Sequence, residues 1–144
     1  MHKLDPHTLF SIFEQGDEQI YKEHGQEDIL KNPFVLMQMV MRGIENYHMM
    51  CVIYQKNYPK QFDRVKDDIK RKYFNKLYGY LQRINYNSIE NIYKIGDSFE
   101  KKQVGIALNI LLKHFEDYEE YEKCGEIVKY IQMLVVEEAK NLLK

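Results

Sequence analysis

A chain of 144 residues with 44% hydrophobic and 13% aromatic residues can bury a core without metals or disulfide staples, and it is too apolar for the disordered class. Its net charge is only −1, yet residues 1–30 carry −5, 31–55 carry +1, 56–84 carry +6 and 85–144 carry −3. An internal positive band with acidic segments on either side can steer a charged partner.

The two cysteines, Cys51 and Cys124, both lie inside apolar helical patterns, which argues against a disulfide framework or a zinc site. No 18 apolar residues run together, and Met1 to Pro6 lacks the apolar stretch of a secretory signal. The expectation is a soluble, cytoplasmic, single-domain protein with no membrane contact. Lysine outnumbers arginine 17 to 4 and only two alanines occur, a bias associated with AT-rich genomes such as those of phages or low-GC bacteria. For a phage protein the compartment is the host cytoplasm.

Spacings of three and four recur and strand alternation is nearly absent, so the chain reads as all-α. Asp5-Pro6 caps and opens a first helix with Leu9, Phe10, Ile12 and Phe13 inward, and a short helix fits between Gly16 and Gly25. Asn32-Pro33 repeats the start signal and opens the longest helix, 33–57, with a core line of Phe34, Met37, Met41, Ile44, His48 and Cys51. Pro59 ends that helix and preorganises the next, 59–84, whose stripe is Phe62, Val65, Ile69, Tyr73, Leu77, Tyr80 and Ile84. So short a connection predicts antiparallel packing.

Asn85 to Ser88 reads as a loop leading into a short helix that Gly96 terminates. Helices over 98–116 and 119–143 follow, the first opened by Asp97 or Ser98. The fold class predicted is a single compact all-α bundle of five to seven helices built from antiparallel helical hairpins.

The last hairpin carries the most specific pattern. Leu108, Leu111, Leu112 and Phe115 lead into Tyr121, Cys124, Ile127, Ile131 and Leu134, and small residues at Cys124-Gly125 predict close helix packing. Tyr121-Glu122-Lys123-Cys124-Gly125 with Ile127, Ile131 and Leu134 resembles the UVR motif, a helical hairpin of bacterial excision-repair nuclease subunits. The resemblance covers residues 107–136. It departs where an Arg-Asp pair usually follows the aliphatic position, since Val128-Lys129 stand there. A UVR-type hairpin implies protein binding without catalysis.

Candidate chemistry is sparse. Glu45-x-x-His48 has the spacing of a di-iron ligand pair, but a second copy and further glutamates are missing, so His48 is expected as a structural histidine and no metal or other cofactor is assigned. Cys51 and Cys124 lie in apolar settings that leave thiols inert. No nucleophile elbow and no phosphate loop occurs, and the chain is read as a non-enzyme.

Two charged clusters remain. Glu116, Asp117, Glu119, Glu120 and Glu122 gather at the hairpin turn, where negative charge also complements a helix start by about 0.3–1 kcal/mol each. With Tyr118 beside them, Glu116, Asp117, Glu119 and Glu120 are the candidate surface for another protein, and Tyr78 and Tyr86 are further candidates for exposed contacts.

The alternative is nucleic-acid binding through Lys66, Lys70, Arg71, Lys72 and Lys76 of the basic helix. That reading requires one charged face, whereas Lys66 with Lys70 and Lys72 with Lys76 fall on two flanks and Asp67-Arg71 and Asp68-Lys72 are spaced as intrahelical pairs. A structural subunit of a symmetric assembly is the remaining alternative.

Overall fold

The computed structural model describes residues 32–85 and 101–142, with side chains placed over 32–85 and 102–134. Among them are four helices and no strand: α1 (Pro33–Asn57), α2 (Pro59–Gln82), α3 (Lys101–Asp117) and α4 (Tyr121–Leu142). The helices predicted before Gly25 and between Ser88 and Ile95 lie outside the described residues.

Local chemistry sets the boundaries. The Asn32 side chain accepts from the Phe34 and Val35 amides at 2.9 and 3.4 Å, satisfying donors that a helix start leaves free. Pro33 occupies the first turn, where its missing N–H costs nothing. At the other end Tyr58 donates to the Tyr54 carbonyl at 2.8 Å, and Pro59 starts α2 immediately.

The α1–α2 pair is antiparallel. Gly43 sits against Leu77 and Tyr73, and Tyr47 stacks on Tyr73 at 5.8 Å and meets Phe74 edge-on at 5.3 Å. Because the helices approach at Gly43, the seam of α1 runs through Val40, Gly43, Ile44, Tyr47, Cys51 and Tyr54. His48, expected on the core line, is turned one position outward and exposed.

Helix α2 is central. Ile69, Tyr73 and Leu77 are fully buried as expected, and a second line through Phe74, Tyr78 and Leu81 meets the other hairpin: Phe74 stacks on His114 at 4.3 Å and Tyr78 packs against Phe115 at 5.4 Å. The Tyr130 hydroxyl of α4 donates toward the carbonyls of Leu81, at 2.9 Å, and Ile84. It thereby ties α4 to the chain leaving α2, where the Leu81 carbonyl also accepts the Ile84 amide at 3.0 Å.

In the α3–α4 hairpin Val104, Leu108, Leu111, Phe115, Cys124, Ile127, Tyr130 and Leu134 are buried. Two expectations fail. Tyr121 is 67% exposed rather than inward, and Gly125 is exposed with nothing within 4 Å of a Cβ placed there; close approach in this hairpin falls at Cys124, beside the Leu112 carbonyl.

The two glycines should therefore respond with opposite signs. Gly125→Ala gains the intrinsic helix preference, about 1 kcal/mol of added stability. Gly43→Ala pushes a methyl into buried Leu77, and overpacking of about 1–3 kcal/mol cancels or outweighs the same gain. Urea unfolding of the two variants checks the contrast. Stabilisation by both would show that the α1–α2 crossing relaxes freely.

Candidate interaction site at the hairpin turn

The end of α3 is a Schellman turn. Glu119 donates to the Glu116 carbonyl at 3.0 Å and Glu120 to the Phe115 carbonyl at 2.9 Å. The geometry requires a left-handed residue at position 119, and Glu119 adopts φ 58°. Glycine is the usual occupant because a side chain costs about 1 kcal/mol or more in that conformation.

The turn projects its carboxylates unevenly. Glu116, Asp117 and Glu119 are exposed, whereas Tyr118 and Glu120 are half-buried. Asp117 is paired with Lys113 at 3.0 Å, an exposed contact of little energetic weight that raises the lysine's pKa. Glu120 is held by Lys123 at 3.0 Å, and the same ammonium bonds the Asn75 side chain of α2 at 2.9 Å. It also lies 5.0 Å from the Phe115 ring centre and 5.5 Å from that of Tyr78, a cation–π arrangement.

From α2, Arg71 lays its guanidinium 4.2 Å over the Tyr118 ring. The predicted basic band is thus drawn partly into the acidic turn. Lys66 pairs with Asp63 at 3.2 Å, Lys70 and Lys76 are half-buried near Phe74 and Tyr80 at 5.9 and 6.0 Å, and Lys72 is exposed. These five residues share no face. Tyr78, expected as an exposed contact, is buried, and Tyr86 lies outside the described residues.

Beneath the turn is a group that the sequence reading did not single out. His114 is 2% exposed, clamped by Phe74 at 4.3 Å, Phe115 at 4.7 Å and Tyr118 at 4.8 Å. Neither ring nitrogen has a hydrogen-bond partner. Desolvation, aided by Lys70, pushes its pKa down to about 4, so the imidazole is neutral at pH 7. Its place on the Ala107, Leu111, Phe115 stripe is the signal that identifies it as inward.

Burial raises the pKa of both thiols, Cys51 and Cys124, which disfavours the nucleophilic thiolate. Among the described residues no group of three His, Cys, Asp or Glu side chains is placed to hold a metal, and no helix is long and apolar enough to cross a membrane. The turn places exposed and half-buried carboxylates beside the Tyr118 and Phe115 rings. No family model matches the sequence, no characterised protein is detectably similar to it, and no solved structure matches it.

Proposed function

We propose that this chain is a non-enzymatic protein-interaction module, a small phage or bacterial regulator or inhibitor of a larger protein machine, built as a bundle of five to seven helices in one domain. The observation that carries the reading is Glu119. A charged residue occupies the left-handed apex of a Schellman turn, where glycine is favoured, and backbone strain of this kind concentrates at functional positions. With Glu116 and Asp117 it presents exposed negative charge beside exposed Tyr121, a surface suited to a basic protein partner. The resemblance of residues 107–136 to a UVR-type hairpin supports the same class of function.

The test separates binding from folding. Glu119→Gly is expected to raise stability by about 1 kcal/mol in urea unfolding while weakening partner capture. Glu116→Lys with Asp117→Lys and Glu119→Lys should abolish salt-sensitive capture of a basic protein from extracts of the native or infected host. Capture that survives the triple reversal moves the binding surface elsewhere.

Nucleic-acid binding through the basic helix makes a different prediction: salt-dependent retention on heparin, lost when Lys66, Lys70, Arg71, Lys72 and Lys76 become Glu. The division of those residues between two flanks and the acidic turn favours the protein-binding reading.

A further inference from the structure

The second half of α1 carries a stripe that no described element covers. Met49, Val52 and Ile53 are 60%, 55% and 46% exposed, three large apolar side chains within five residues. Glu45 and Lys56, also exposed, lie at the two ends of the same stripe. At 100° per residue, positions 45, 49, 52 and 56 fall within about 60° of arc and span roughly 16 Å of helix. Among the described residues neither Glu45 nor Lys56 has an ion-pair partner.

We propose that this stripe is a self-association surface, on which α1 of a second copy of the chain packs antiparallel about a twofold axis between residues 50 and 51. The register follows from the sequence. Reversing the stripe about that axis sets Glu45 opposite Lys56 of the second copy, Met49 opposite Val52, and the reciprocal pairs on the other side. Such reciprocity is the requirement for a twofold interface, in which residue i meets j and j meets i.

An antiparallel pairing alone meets both demands of the stripe: apolar residues at its centre leave water together, and opposite charges fall at its ends. A parallel pairing sets Glu45 against Glu45 and Lys56 against Lys56. The charges fix register more than affinity, since exposed ion pairs are individually weak. A single helix pair lies at the small end of interface sizes, below about 1,200 Å², so the dimer belongs to the weak, concentration-dependent class. This surface is separate from the acidic turn, and dimerisation stands or falls independently of partner capture there.

Sedimentation equilibrium of the full chain from roughly 10 µM to roughly 1 mM should show a weight-average mass rising from 17.5 kDa toward twice that value. Glu45→Lys and Lys56→Glu, each alone, oppose like charges at both ends of the interface and should weaken the dimer about tenfold or more. An equimolar mixture of the two variants creates two opposite-charge pairs in the heterodimer and should restore association. Met49→Ser with Val52→Ser, at exposed positions that leave the fold intact by circular dichroism, should abolish it. A monomer throughout the concentration range would overturn the proposal. So would a dimer insensitive to both single reversals, or a mixture that associates no better than its components.

Discussion

Phe115→Ala is expected to lower the unfolding free energy by about 3–5 kcal/mol, the cost of removing a buried phenylalanine and leaving a cavity. Phe115 is fully buried and lies where the two hairpins meet: Tyr78 of α2 packs on it at 5.4 Å, His114 at 4.7 Å, and the Lys123 ammonium lies 5.0 Å from its ring centre. Its carbonyl accepts the Glu120 amide that closes the turn.

Alanine retains that carbonyl, so the loss isolates packing from backbone hydrogen bonding. Phe115→Leu keeps most of the volume and should cost far less, under about 2 kcal/mol, on the scale of volume-conserving core changes. Urea unfolding followed by far-ultraviolet circular dichroism measures both. A cost below about 1 kcal/mol for the alanine variant would mean that this ring does not support the turn, and that Lys123 and Arg71 hold it from the surface.

The helices that carry local signals were legible in the sequence. Asn32-Pro33 and Pro59 mark their starts through capping and a fixed φ, and α1 begins and ends where those residues predict. Facing was less legible, because one-sided periodicity cannot report a helix buried on two sides. Helix α2 packs Tyr73 and Leu77 toward α1 and Tyr78 toward α3–α4, with Phe74 between Tyr47 and His114, so Tyr78 is buried despite lying off the predicted stripe.

His48 failed for a related reason. The seam of α1 is set by the close approach at Gly43, and that approach depends on Leu77, which no window of α1 contains. At the candidate site the carboxylates were legible as a run of residues. Their anchoring was not: Lys123 bonds Asn75, 48 residues earlier, and Arg71 covers Tyr118 from a neighbouring helix. Such contacts arise from tertiary packing, so the sequence read as two separate charged clusters where the structure has one adjoining arrangement.

His114 links that arrangement to pH. The unfolded chain binds a proton at this histidine near pH 6.5, whereas the folded protein resists protonation until about pH 4. Desolvation is the main cause. Lys70 and Arg71 act in the same direction, and Glu120 and Asp117 oppose them. A folded-state pKa below the unfolded one means that the unfolded state holds more protons between these limits, so stability falls as pH drops through them. Nothing is lost above about pH 6.5, and the loss of stability reaches about 3 kcal/mol by pH 4.

His114→Phe keeps a ring between Phe74 and Phe115 and removes two buried nitrogens that have no hydrogen-bond partner. At pH 7 the variant should be at least as stable as the native chain, because an unpaired buried polar atom is costly. Carboxylates titrate over the lower part of the same range in both proteins, so the informative quantity is the difference between their unfolding free energies at pH 7, 5.5 and 4. That difference should grow by about 3 kcal/mol in favour of phenylalanine as pH falls. Parallel stability curves would show that the folded state accepts the proton as readily as the unfolded one, with the imidazole reaching water or the Glu120 and Asp117 carboxylates when charged.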